Sequence, residues 1–512
     1  MNLLEDSWIP VCAGGGAGEF RLLTYRQLLC EPGDWQVSLP RDDLELACLQ
    51  LLVCMTQIMF LPEDVATLRN RLDTPLTPDE FTAGIARCQD WFDLDHPTQP
   101  FMQSRGLKTD KLTPIQKILV GLPEGNNHAF FNEVGEVKKL SASLTAIALF
   151  NQASNANSMG GGFKGNLRGG TNPYLTPVDI FVSGSDLRKT IWLNVLALPR
   201  VQASLPGWKP DFQVDQPTWV RPIKSDEKVK QGDIGLARGL FWQPTKLELV
   251  REESLDSCDI FEDGPEQVYR FFRKEQFRFN VEGLWPHPHG ARVAILKDGK
   301  VNWKYSAFNA EYPAWTQLSE FVLLRGVNDP DAKEGSEPCG PVAQASELGI
   351  GRLHLWVGGY CARQASIVGR RHEMFSLAQG WRDDKERLPK LVKLGKDARK
   401  ALYGKLLVAS KGYENKKKKI RLKGIGAAIH ETAEKLFYAR TENLIHQIFS
   451  NELTWTSWAS ERQRFAGEIA RHCETIFEEL TRPYAAKPEL IPVIAWTRRS
   501  LNTDLKKLME EA

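Results

Sequence analysis

Apolar residues recur at three- and four-residue spacing through Leu44, Ala47, Cys48, Leu51, Met55, Ile58 and Met59, the period of one helix face. Glu45, Gln50, Thr56 and Gln57 interrupt the run, so residues 44–61 read as a buried helix and not as a membrane span. Ser38, Pro40, Asp42 and Asp43 just before it supply a capping hydroxyl, an early proline and first-turn acids. Further helices are predicted from Thr77 to about Phe92, briefly after Thr113, and over residues 143–152. Short strands are predicted within residues 1–37 and at 178–182, 239–244, 247–250 and 277–281, and residues 190–196 suit either strand or helix. From about Tyr360 nearly everything reads as helix, at 364–381, 390–411, 425–451, 457–481 and 488–510. Ala433, Leu436, Phe437, Leu444 and Ile448 line one such helix, and antiparallel helices with short joins form a bundle. The pattern predicts an α+β chain, with a large mixed α/β domain over residues 1–375 followed by a helical bundle over 376–512.

A length of 512 residues exceeds one ordinary core and agrees with two or three domains of about 100–200 residues each. The net charge of +2 excludes a polycation, but the charge is uneven. Residues 382–423 hold 16 Lys and Arg against 5 Asp and Glu, or +11, so the remainder sums to −9. The peak is Lys416, Lys417, Lys418 and Lys419, followed by Arg421 and Lys423. A solvated run is the ordinary state of such a cluster, and the asymmetry around it points to an anionic partner, of which a phosphate backbone is the commonest. The nine cysteines are odd in number and irregularly spaced, with no Cys-x-x-Cys pair. Neither a disulfide framework nor a zinc ribbon is indicated, and thiols used as small core hydrophobes fit a reducing cytoplasm. The first residues have neither a basic region nor a long apolar run, so they do not read as a signal peptide.

The most unusual stretch is residues 158–171, with six glycines, Lys164, Arg168 and no acid. Glycine loses the most backbone entropy on folding, so such a cluster suits tight bending or close approach to another group. The two cations suggest that this group is anionic, and a flexible surface loop explains the composition equally well. Gly160, Gly162 and Gly165 match the dinucleotide fingerprint in spacing only, because Gly169, Gly170 and Pro173 follow where a helix is required. Lys164 is followed by glycine, so the Walker pattern fails. His287-Pro288-His289 is an H-x-H element whose prolines favour a rigid turn packed on Trp285 over a metal-binding strand. His430 and Glu431 open a metalloprotease-like helix with Glu434 where the second His belongs, which reads instead as a polar face with an i,i+4 His430–Glu434 contact. No nucleophile elbow or paired-carboxylate frame appears, so an enzyme reading is unsupported. Phe130 and Phe131 lie in the polar segment 125–139, where aromatics dock on the body of the domain or on a partner.

Several ordered blocks together carry a family resemblance: residues 39–43, 145–152, the glycine stretch, 239–244, 284–289, 364–367 and 430–434. Through them the sequence resembles, over nearly its whole length, the CasA family, the large subunits of type I-E CRISPR Cascade surveillance complexes. The resemblance implies a mixed α/β domain followed by a four-helix bundle, and a subunit without catalytic activity. Such a subunit finds the protospacer-adjacent motif in duplex DNA, promotes unwinding and R-loop formation, and recruits the helicase–nuclease. Implied partners are the backbone and small subunits, the subunit holding the guide RNA 5′ end, the guide RNA, the target duplex with its displaced strand, and the helicase–nuclease. No membrane or cofactor is implied, and the location is cytoplasmic; some members carry two cysteine pairs that suggest zinc, but the first is absent around Ser141 to Leu144 and only Cys258 remains of the second, so no metal is expected. By position, the groove-reading loop falls on Ser158, Met159, Gly160 and Gly161, the unwinding wedge on Gln364, and the aromatic directed to the guide RNA on Phe130. The wedge's mount is expected to be a helix beginning at residues 365–371. The family's lysine finger falls on Gln276, with Lys274 and Arg278 as the neighbouring cations. The lysine run 416–419 is expected to touch DNA backbone, and Lys164, Arg168 and the later glycines read as support. Two other readings stay open: a nucleotide-dependent enzyme using the Gly160–Gly165 loop, and a general RNA-binding scaffold using the basic bundle alone.

Overall fold

The helix Asp42–Met59 is buried on almost every side, more than a one-faced pattern requires. Its polar interruptions are resolved by pairing inside the protein. Gln57 bridges the backbone of Leu196, giving Nε2 to its carbonyl at 2.9 Å and accepting its N–H at 2.6 Å. Thr56 Oγ1 donates to Leu52 O at 2.7 Å. Gln50 Nε2 reaches Asp179 at 3.0 Å. Paired in this way, buried amides avoid the desolvation cost that would otherwise expel the helix from the core. The helix begins later than the sequence suggests: Arg41 occupies the cap without a side-chain bond, and Glu45 Oε1 accepts the N–H of Leu39 at 3.0 Å.

The computed structural model describes residues 1–14, 18–122, 135–160, 163, 165–169, 175–260, 266–297, 299–327, 335–363, 366–415 and 420–512. The chain divides into two compact units: residues 1–310, 320–350 and 355–374 form the first, and 311–319, 351–354 and 375–512 the second. In the first unit the helix Asp42–Met59 packs on the helix Ala142–Ser154, which starts from a Ser141 cap and is itself nearly all buried. Small sheets surround this pair. One orders Phe20–Thr24, Ser7–Ala13 and Trp35–Val37. A second centres on Glu266–Glu275, paired antiparallel with Lys246–Asp256 and with the short strands at Thr113–Pro114 and Leu140–Ser141. A third orders Ser366–Leu377, Leu353–Arg363 and Val178–Val182.

The second unit rests on four long helices, Arg387–Lys411, Ile429–Ser450, Trp458–Thr481 and Ile491–Glu510. The first of them packs against each of the other three, and the third does the same. Ala433, Phe437, Leu444 and Ile448 are buried as the spacing predicts. Among the described residues, no helix is long and apolar enough to cross a membrane.

Four local expectations are corrected. Residues 366–377 form a strand and not the expected helix: Gly369 weakens a helix, Ile367 and Val368 favour extended chain, and Leu353–Arg363 offers a pairing edge two residues upstream. Residues 239–244 are not the expected strand: 239–240 end a short helix, Leu236–Leu240, and 241–244 are turn and irregular chain. His430 makes no i,i+4 pair. It is buried, with Nδ1 3.2 Å from Ser410 Oγ and its ring on Tyr403, while Glu434 pairs with Arg399 at 3.1 Å. Finally, the expected capping hydroxyl of Ser38 does not cap the helix that follows it.

Candidate nucleic-acid interface

The glycine stretch follows a helix, Ala142–Ser154, and leads into a single 3-10 turn, Leu167–Gly169. A dinucleotide loop needs a strand before it and a helix after it, so that reading lacks its frame. The stretch is closed at its base. Asn166 donates both its N–H (3.0 Å) and its Nδ2 (2.8 Å) to Ala156 O, and Nδ2 also reaches Leu175 O at 3.0 Å. Gly165 lies so close beneath that an added Cβ would overlap the Asn157 carbonyl and sit 2.7 Å from Ala156 O. At the other end Gly160 is exposed, with φ +76° and open space where a Cβ would project. Ser158 Oγ accepts the Gly160 N–H at 3.2 Å, and Asn157 Oδ1 accepts the Ser158 N–H at 2.8 Å. Met159 is 3% exposed and lines a small cavity together with Met102, Leu149 and Leu247. The described part of the stretch is thus pinned at Asn166, and Gly160 presents backbone without a side chain.

Arg168 does not face an external anion. It is 1% exposed, and its guanidinium holds Asp179 through Nη1–Oδ1 at 2.5 Å and Nη2–Oδ2 at 3.2 Å, with further bonds to Asn155 Oδ1 (2.6 Å) and Ser154 O (3.0 Å). Burial pushes the Asp179 carboxyl up, and Arg168 pulls it back. Deep burial and the same cation hold His289 down to about 3 and His287 well below its ordinary range. His287 and Trp285 meet edge-on at 5.7 Å, and His289 packs on Phe181 at 4.8 Å, so the H-x-H element is the packed turn expected. Among the described residues, no group of three or more His, Cys, Asp or Glu is placed to hold a metal ion.

Three stretches singled out in the sequence adjoin, along the chain, one small apolar cluster. Val120, Ala156 and Tyr360 are buried together, and Ile367 packs against them. Residues 123–134, which include Phe130, begin three positions after Val120, and Ser158 comes two positions after Ala156. Gln364 lies between Tyr360 and Ile367 in the connection of the two neighbouring strands Leu353–Arg363 and Ser366–Leu377. Phe130, Gly161, Lys164, Gln364 and Lys416–Lys419 themselves fall outside the described residues. Lys274, in the strand Glu266–Glu275, places its Nζ 4.9 Å from the ring centre of Phe163 in the glycine stretch. Gln276 and Arg278 follow just beyond that strand, both exposed. In the second unit, strands Gly412–Asn415 and Ile420–Lys423 pair antiparallel on either side of the lysine run.

Sequence reasoning missed Asp179, Tyr360 and Asp43 as members of this region. One signal was present: Asp179 sits in Val-Asp-Ile-Phe-Val, and an acid inside a fully apolar strand requires a buried cation.

The chain thus carries a mixed α/β unit and a unit built on four long helices. The chain belongs to the family of the CRISPR-associated protein Cse1, whose family model matches residues 2–473. The CRISPR-associated protein CasA/Cse1 of Thermus thermophilus is 25% identical over 414 residues, covering 78% of this chain and 75% of that protein. The crystal structure of Thermobifida fusca Cse1 superposes with a TM-score of 0.75 at 17% identity, covering 100% of this chain and 98% of that one. A chain of a CRISPR RNA-guided surveillance complex superposes with a TM-score of 0.66 at 16% identity, covering 98% and 99%.

Proposed function

We propose that this chain is the large, non-catalytic subunit of a Cascade-type, RNA-guided surveillance complex, and that it reads a short motif in duplex DNA through the minor groove. The observation that carries the reading is the common foot of Val120, Ala156, Tyr360 and Ile367, which residues 123–134, the glycine stretch and the Gln364 connection all adjoin along the chain. Groove contact, strand separation and guide-RNA contact must act on neighbouring base pairs, so they belong on one mount. The minor groove is narrow, about 6 Å wide, and its code is degenerate, so a loop without Cβ atoms at Gly160 and Gly161 suits it where larger residues are excluded. Ser158 and the Met159 backbone complete that edge, with Met159 itself serving as the loop's apolar anchor. Lys274, held over Phe163, is the cation in place to replace the family's lysine finger at Gln276. Gln364, in the connection of two neighbouring strands, opens the first base pair. Phe130 stacks toward the guide RNA, and Lys416–Lys419 follow phosphate backbone. The guide RNA, the other subunits, the displaced strand and the recruited helicase–nuclease are the partners, in the cytoplasm.

Target binding by the assembled complex across a randomised motif library tests this reading. Gly161→Asp is expected to erase motif preference, because it forces a carboxylate against the groove. Gln364→Ala is expected to slow R-loop formation more than initial contact. Undiminished motif preference in Gly161→Asp removes the glycine stretch from the interface.

A further inference from the structure

A one-directional chain of hydrogen bonds runs beneath the loop foot. Arg168 Nη2 donates to Asn155 Oδ1 at 2.6 Å. Asn155 Nδ2 donates to Asn151 Oδ1 at 3.0 Å and to Gln50 Oε1 at 2.9 Å, and Gln50 returns its own amide to Asp179. Asn151 Nδ2 donates to the Tyr360 hydroxyl at 2.7 Å, and that hydroxyl donates to Asp43 Oδ2 at 2.8 Å. Asp43 also accepts from Arg370 Nη1 at 3.0 Å, on the strand Ser366–Leu377. Every amide in the chain has one permitted orientation, since turning Asn151 over would face donor to donor at Asn155 and leave the Tyr360 hydroxyl with no donor from it. A connected buried network of this kind rigidifies the groups it joins.

We propose that Arg168, Asp179 and the chain through Tyr360 to Asp43 are positioning residues that lock the glycine stretch to the strand pair carrying Gln364, so that groove contact and base-pair opening are set in one register. The proposal rests on the duplex-reading assignment of the glycine stretch. It is stronger than a role in stability alone. Arg168 lies just past the closed loop, Tyr360 lies four residues before Gln364, and Arg370 six after it, so the chain touches both sides of the connection as well as the loop. A buried ion pair is seldom needed for folding, because well-packed apolar residues of similar volume often replace it without loss.

The test uses the assembled complex and the ratio of its affinities for duplexes with the matched and the scrambled motif. Arg168→Met with Asp179→Leu removes the lock with packing retained, and Tyr360→Phe removes one hydroxyl. Gly161→Asp runs alongside. The double variant is expected to assemble, to bind scrambled duplex as before, and to lose at least tenfold in the affinity ratio. Tyr360→Phe is expected to lose about threefold, and Arg168→Lys, which keeps charge but not the fork, is expected not to rescue. An unchanged ratio in the double variant with a collapsed ratio in Gly161→Asp overturns the lock and keeps the duplex reading. An unchanged ratio in Gly161→Asp overturns both. If the double variant fails to assemble, Tyr360→Phe decides by the same comparison.

Discussion

Replacing Gly165 by alanine is the sharpest probe of the loop foot. The added methyl overlaps the Asn157 carbonyl and lies 2.7 Å from Ala156 O, so residues 165–166 must back away from 156–157. A displacement on the order of 1 Å is needed to restore ordinary van der Waals separation. That movement forfeits the two bonds from Asn166 to Ala156 O, at 3.0 and 2.8 Å. Each contributes about 1 kcal/mol net, and the stiffer unfolded chain returns about 0.4–1 kcal/mol, so local opening becomes easier by roughly 1–2 kcal/mol after strain is included. Gly160→Ala meets no atom within 4 Å and carries only the φ +76° penalty, at a position remote from those bonds. Native-state hydrogen exchange at the Asn166 amide separates the two. Gly165→Ala should accelerate it about tenfold, because 1.4 kcal/mol is a factor of ten. Gly160→Ala should leave it within about twofold. An Asn166 amide equally protected in Gly165→Ala and in the parent protein would refute the closed-foot argument.

Acid should destabilise the first unit through His287 and His289. Both are neutral when folded, with His289 held down to about 3, and both return to about 6.5 when unfolded. Their contribution is complete above pH 6.5 and declines as pH falls, reaching a loss of about 2 kcal/mol for His289 at pH 5, with His287 acting in the same direction. Urea midpoints at pH 7.5 and pH 5 should show the loss, and His287→Gln with His289→Gln should flatten it; an unchanged slope assigns the sensitivity to other groups. Neutralising Lys416–Lys419 should weaken matched and scrambled duplexes alike and reduce the salt slope by about 0.9 for each phosphate no longer neutralised. A changed motif preference at constant salt slope contradicts a backbone role.

The long periodic elements were legible because their burial follows a simple rule: Leu44 through Met59 bury the residues that their spacing nominates, and Ala433 through Ile448 do so except for the half-buried Leu436. The cysteines also behave as small core residues, all nine free and all but Cys30 buried. The strand Ser366–Leu377 was not legible. Its residues are mostly half-exposed or exposed, so they show no clean alternation, and residues 364–365 lack the Asn-Gly or Asp-Gly signal of a tight turn. The partners of Arg168 were not legible for a different reason. A cation among glycines looks solvated or ligand-facing until the chain brings Asp179 and Asn155 around it, and pairing across eleven residues through a closed loop leaves no local pattern.

The shared foot also governs how such a molecule can vary. Each added residue at a loop tip extends its reach by up to about 3.3–3.6 Å and leaves the other two loops standing where they were. One methylene gained or lost at Val120, Ala156, Tyr360 or Ile367 disturbs a cluster that all three stretches adjoin along the chain. Length and chemistry at the tips are therefore free to drift one loop at a time, whereas the foot changes only as a set. A chimera that exchanges these loops with those of a relative should carry the four foot residues across as a single graft.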